Sequence, residues 1–427
     1  MRLISEKTRQ FVRGRRGLQA RIAAACEGVE NIVWVHSPSY GEFEEARPVL
    51  AALRVAHPEY KFLVTFFSPS GYEHLKDDPA ADFVFYMPLD GPVAARRFLD
   101  SVRPVRAIFC IADFWLFFLN ELRRRGVPTY LVSARFNAGM TYFKAVGRPY
   151  LRAFRRCFTR IFVSNVESFE VLQAHGVCNV SLMGDPRMDR VLSVAAEEWS
   201  DPVVSAWAFG TASEFCSSPC PCTCAKVFVA GSVLPDMDSV LVSSLANAHP
   251  SDKFLVVPHE VDRASVERLA GMFEGRVMLY SEASASSSGS GDYSALCAAQ
   301  VLIVDVVGLL SRLYRYGFMA YVGAGFDGAP HSVIEPAAYG IPVCFGPQFG
   351  PVWHCQKMID AGAAFSVRSV EEIEQLYSAV EGCAASDANL LPTVEGCAGL
   401  VQKAGAAARA YCLAGSGVAA RIADVID

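Results

Sequence analysis

Along this chain, short apolar runs of strand length alternate with helical patterns, and the alternation occurs twice. Strands are expected at 31–36, 60–67, 83–86, 106–111, 129–132, 160–163 and 180–183, and helices at 43–56, 114–125, 142–158 and 167–175. The pattern breaks between Asp189 and Cys224. It restarts with strands at 227–230, 253–257, 277–279, 301–304, 320–322 and 342–345, again with helices between. Alternating strand and helix implies a parallel sheet covered on both faces. Two such blocks imply two doubly wound, Rossmann-like α/β domains facing each other across a cleft, with ligands beyond the carboxyl ends of the strands. The boundaries read as a basic N-terminal helix (1–25), a first domain (26–190), a linker or insertion (191–225), a second domain (226–400) and a C-terminal helix (401–427).

Length and composition agree with that division. The 427 residues are too many for one ordinary core, and 52% apolar content supplies two. A net charge of −5 excludes a general nucleic-acid binder. Residues 1–21 nevertheless carry seven Lys and Arg against Glu6 alone, with Ile4, Phe11, Leu18 and Ile22 expected on one helical face. Two readings stand: a surface helix packed on the first domain, or a basic amphipathic element on an anionic membrane surface. No run reaches the ~18–20 apolar residues of a membrane span. The 14 cysteines show no regular framework and read as reduced, as in the cytosol. Cys216, Cys220, Cys222 and Cys224 depart from the usual knuckle spacing and read as a linker insertion rather than a zinc site. The stretch 281–292, rich in Ser and Gly, reads as a flexible loop.

Five motifs fall at strand ends. After the first strand, Ser39-Tyr40-Gly41-Glu42 opens the first long helix, where Glu42 is placed as a general base or simply stabilises the helix dipole. After the fourth strand, Asp113 is either an N-cap or a second acid at the site. Arg187 leaves a Gly/Pro turn as a cation for a leaving phosphate, or as the partner of Asp185 or Asp189. In the second block, Gly231-Ser232 and Pro258-His259 end successive strands. The strongest motif is Tyr321-Val322-Gly323 followed by His331-Ser332-Val333-Ile334-Glu335-Pro336 and Gly346-Pro347. A strand, a Gly-rich turn and a helix start offer backbone N–H groups to phosphate, and Glu335 offers a carboxylate to ribose hydroxyls. Asp236-Met237-Asp238 opens a helix and reads as helix-start acidity rather than a metal-binding pair, so no metal is expected.

Taken in order, these blocks resemble the 3-deoxy-D-manno-octulosonic acid (Kdo) transferases of Gram-negative bacteria, which have the GT-B fold. The stretch from Phe66 to Glu73, the segment from Val84 to Asp90 and the run from Tyr130 to Ala134 resemble the Bacteroidetes branch. The resemblance implies transfer of Kdo from CMP-Kdo to a lipid A precursor in lipopolysaccharide synthesis, with inversion and no resident cofactor. It places the general base on Glu42, with Ser39, Tyr40 and Gly41 toward the acceptor, and transition-state stabilisers on Asp113 and Arg187. Nucleotide contacts fall on Pro258, His259, Val307, Gly308, Leu309, Ser332, Val333, Ile334 and Glu335, and the strand-end motifs add Gly231, Ser232 and His331 to them. Family members usually carry glutamate, lysine and asparagine where Asp113, Arg187 and Ser332 stand here. Most also begin with a membrane-spanning anchor, and this chain starts where that anchor would end; the expectation is a peripheral protein at the cytoplasmic face of the inner membrane, held by its basic N-terminal helix, or else a truncated start. The rival readings are a UDP-sugar transferase or epimerase of similar fold, and a non-catalytic sugar-nucleotide-binding homologue.

Overall fold

The computed structural model describes residues 6–210, 226–287, 294–381 and 398–427. The four clustered cysteines lie outside them. Two compact units emerge: residues 1–190 with 415–427, and residues 191–414.

In the first unit the strands are β1 (Ile32–Ser37), β2 (Lys61–Phe66), β3 (Phe83–Tyr86), β4 (Arg106–Cys110), β5 (Thr129–Ala134), β6 (Arg160–Val163) and β7 (Val180–Leu182). They form one all-parallel sheet in the order β3-β2-β1-β4-β5-β6-β7. Residues of β1 are buried throughout, as a strand covered on both faces requires. Val33 and Val35 join one core layer, while Ile32 and Trp34 join the other. The second unit holds β8 (Val227–Val233), β9 (Lys253–Pro258), β10 (Val277–Leu279), β11 (Val301–Ile303), β12 (Met319–Val322), β13 (Val343–Phe345) and β14 (Ala364–Ser366). Its sheet is also all parallel, ordered β10-β11-β9-β8-β12-β13-β14. Strand order reverses direction between β1 and β4 in one unit, and between β8 and β12 in the other. Ligands of open α/β sheets bind at such switch points.

Several expectations are corrected. The N-terminal stretch is two helices, Glu6–Gly14 and Leu18–Cys26, separated at Gly17, whose φ is 60°. The second buries Leu18, Ile22 and Cys26 in the first unit's core, so it is a packed helix. The helix expected at 142–158 begins only at Arg148, because Gly147 lies against the backbone of Thr141 and Tyr142 and Pro149 suits a first helical turn. The linker 191–225 is partly core: helix Pro202–Phe209 buries Trp207, whose Nε1 donates to Ala299 O at 2.9 Å. Helix Tyr280–Ser287 occupies most of the expected loop at 281–292. The single C-terminal helix is two, Ala398–Ala414 and Val418–Ile426, and the second belongs to the first unit. Strand β14 was not anticipated, being three residues long with no alternation to mark it.

Candidate active site

In the first unit, helix Tyr40–Ala56 starts three residues after β1 ends, with Ser39 as its extended N-cap residue. Glu42 sits in the first turn and accepts a hydrogen bond from the Ser39 hydroxyl. It is partly exposed and makes no ion pair among the described residues. Its neighbours on the helix differ. Glu44 is bridged by Arg47 at 2.7 Å and faces Arg190 at 3.5 Å. Glu45 is buried, accepts from Arg135 and lies 3.6 Å from Arg187. Burial raises the Glu45 carboxyl above its ordinary value, while Arg187 and Arg135 act in the opposite direction. Tyr40 is half-buried, and burial first and Glu44 second raise its phenol.

Asp113 does not cap the helix Leu116–Arg124; Trp115 stands at that position. The Asp113 carboxylate instead meets His36 Nε2 at 2.9 Å, across the switch point from β4 to β1. His36 is fully buried, and its Nδ1 lies 2.9 Å from Thr65 Oγ1 on β2. Trp115 Nε1 is also 2.9 Å from His36 Nε2. One ring nitrogen can donate to Asp113 or accept from Trp115, but not both at once, so the His36 proton decides which partner is held. Arg187 opens helix Arg187–Ala196. Its guanidinium donates to both Asp185 carboxylate oxygens, from Nη2 to Oδ2 at 2.7 Å and from Nε to Oδ1 at 3.1 Å, so the alternative of a local ion pair is realised.

In the second unit the expected residues again sit at strand ends, and they divide by role. Gly231 is a packing residue, since a Cβ there would strike the Tyr314 hydroxyl. Ser232 lies at φ 56° where β8 slips register against β9. Pro258 ends β9 and is buried, whereas His259 is exposed and stacks on His331 with ring centroids 4.7 Å apart. His331 is held below its ordinary value, first by desolvation and then by His259. Val307, Gly308 and Leu309 form the turn after β11, with Gly308 at φ 90°. Ser332 is partly exposed. Val333 and Ile334 are each 1% exposed, so only their backbone can reach a ligand. The helix they introduce, Ile334–Ala338, has only five residues, which limits any dipole it carries. Glu335 is partly buried, and its charge acts with burial to keep the Tyr314 phenol protonated.

Three residues matter that the motifs did not single out for this purpose: His36, Glu45 and Asp238. Asp236 is the helix-start acid, capping Met237–Ala248. Asp238 is fully buried and accepts from Tyr321 Oη and Ala324 N, both at 2.6 Å, and from Leu234 N at 3.2 Å. It thereby ties the turns after β8 and β12 together. Ala324 takes φ 76°, a rare conformation for a residue with a Cβ. Ile111 (61°), Ser133 (56°) and Ser232 (56°) share it near other strand ends. Such strain gathers where function holds a backbone in place.

Two all-parallel, doubly wound units with their polar groups collected at strand carboxyl ends define a GT-B-type, Rossmann-like α/β protein. The family profile described as 3-deoxy-D-manno-octulosonic-acid transferase (kdotransferase) matches residues 10–190. A 3-deoxy-D-manno-octulosonic acid transferase of Aquifex aeolicus (strain VF5) is 25% identical over 355 residues, 82% of this chain and 84% of that protein. One of Chlamydophila psittaci (strain ATCC VR-125 / 6BC) is 23% identical over 380 residues, covering 86% and 77%. The fold is also that of the UDP-GlcNAc 2-epimerase from Neisseria meningitidis bound to UDP-GlcNAc (TM-score 0.54, 13% identity, 82% of this chain and 91% of that one). Residues 10–190 thus match the Kdo transferase family, and over most of its length the chain is similar to Kdo transferases, which indicates a glycosyltransferase.

Proposed function

We propose that the chain transfers Kdo from CMP-Kdo to a hydroxyl of a lipid A precursor, with inversion at the anomeric carbon. The observation that carries the mechanism is the pairing pattern at the start of helix Tyr40–Ala56. Glu44 and Glu45 are held by arginines, while among the described residues Glu42 is hydrogen-bonded only by the Ser39 hydroxyl. Glu42 is therefore the carboxylate free to take the acceptor proton as the new glycosidic bond forms. Asp113 orients His36, and Arg187 exchanges part of its bond to Asp185 for charge developing on the departing phosphate. The second unit binds the nucleotide, with backbone N–H groups of the turn before Ile334–Ala338 toward phosphate and Glu335 toward ribose. His259, His331, Ser332 and the turn 307–309 complete the contacts. The departing CMP is stabilised by these groups with no resident cofactor or metal, so excess chelator should leave turnover unchanged.

The reading also takes the chain to be a peripheral protein at the cytoplasmic face of the inner membrane. No helix among the described residues is long and apolar enough to cross a membrane. A donor comparison tests the assignment. CMP release should depend on acceptor when CMP-Kdo is supplied, and UDP-sugars should give no product. Turnover of a UDP-sugar, including its epimerisation, would favour the class of the structural neighbour instead.

A further inference from the structure

The geometry points to a lipid-docking feature that none of the strand-end motifs includes. It is a basic groove between helices Leu116–Arg124 and Arg148–Arg156 that receives phosphate headgroups of an anionic bilayer. A cavity of about 270 Å³ lies between these helices, with Ala153 and Cys157 among its lining and Arg123, Arg152 and Arg156 around it. Arg152 and Arg156 are four apart and so share a helix face. All three arginines are exposed, and none of their guanidinium groups makes a hydrogen bond or ion pair among the described residues.

That absence has a local cause. Helix Arg148–Arg156 contains four arginines and no acid. The acid of helix Leu116–Arg124, Glu121, is already bridged by Arg124 and Arg125. Three like charges around one hollow repel each other until an anion enters, and guanidinium forks match phosphate oxygens. The rim selects the occupant. Phe117 is 49% exposed beside Leu116, which lines the cavity, and Val146 is 74% exposed just before Pro149, which also lines it. Large exposed apolar residues beside unpaired arginines suit a bilayer interface, whereas a soluble anion has no use for them. The sequence drew attention to the N-terminal basic segment instead. There, Arg15 is committed to the carbonyls of Phe11, Phe67 and Met87, and the following helix is packed into the core.

The inference rests on the proposed function only in taking the acceptor to be a membrane lipid. Its test is sedimentation of the full chain with sucrose-loaded vesicles of phosphatidylcholine, with and without phosphatidylglycerol. The triple variant R123E/R152E/R156E is compared with R9E/R13E/R16E, which makes the same change in charge. Each arginine near an anionic surface contributes about five-fold to partitioning, so the groove variant should lose on the order of a hundredfold and the control much less. Equal losses, a larger loss in the control, or no preference of the unaltered chain for phosphatidylglycerol would overturn the docking site. A calorimetric titration with inorganic phosphate forms the second arm. Phosphate binding abolished by the groove variant, with vesicle partitioning intact, would assign the groove to a free anion and likewise overturn it. Transfer to a detergent-dispersed acceptor should survive in the groove variant. If even the unaltered chain transfers nothing while groove-dependent partitioning persists, the proposed function fails and the docking site stands.

Discussion

A carboxylate serves as a base only when no cation already holds its charge, and this condition separates Glu42 from its neighbours. Replacing it by glutamine keeps the size and the Ser39 contact but removes the proton acceptor. Glu42→Gln should lower kcat by about 10²–10⁴, with CMP-Kdo affinity by calorimetry unchanged. Near-normal turnover would remove Glu42 from the mechanism. Asp238 makes a different prediction, because it touches protein and not substrate. Asparagine turns one acceptor oxygen into a donor facing N–H groups, at a cost of about 1.5–3 kcal/mol. Asp238→Asn should therefore lower Tm and raise the donor KM more than it lowers kcat. The position of Glu42 in a first helical turn was legible in the sequence because its signal is local, a strand end, a tight turn and a helix start within a few residues. The partner of Asp113 was not, since His36 lies 77 positions away and only the pairing of β1 with β4 joins them. Asp238 was read as helix-start acidity, yet Asp236 does that work and Asp238 serves a turn 86 positions on.

At the scale of elements, the strands were the most legible feature, because a strand buried on both faces is a run of apolar residues with little else to be. Thirteen of the 14 strands were anticipated, and the exception is a three-residue edge strand. Helix starts were harder where 3₁₀ turns precede them, as before Arg148. The Gly-rich turn after β12 illustrates a constraint that composition suggests and only geometry explains. Gly325 and Gly346 bring two backbones so close that a Cβ on Gly325 would sit 2.6 Å from Gly346 N. No side-chain rotation relieves such a clash. Gly346→Ala should cost about 1–3 kcal/mol and weaken nucleotide binding in calorimetry. Unaltered stability and CMP affinity would mean that these turns are not held together as described.

At the scale of the molecule, the chain builds one unit, then a second, and returns to finish the first. Helix Val418–Ile426 places Val418, Ile422 and Ile426 in the same core layer as Val33, Val35 and Phe43. Arg106 Nε fastens its end by donating to Ile426 O at 2.7 Å. Large aliphatic side chains contribute about 1.5–3 kcal/mol each on burial, and a typical domain is stable by only about 5–15 kcal/mol. Removing residues 415–427 should therefore unfold or severely destabilise the first unit, seen as lost protection of β1 and β4 in hydrogen exchange. Retained protection would show that the returning helix is dispensable. Sequence pattern alone read 401–427 as one helix, because the turn at Gly417 (φ 74°) interrupts otherwise continuous helical composition. The central claim concerns chemistry, and mass spectrometry of a lipid IVA-type acceptor incubated with the chain and CMP-Kdo tests it most directly. The account predicts acceptor ions heavier by whole Kdo residues with the unaltered chain and very few with Glu42→Gln. Acceptor unchanged in mass despite CMP-Kdo consumption, or equal product from both proteins, would contradict it.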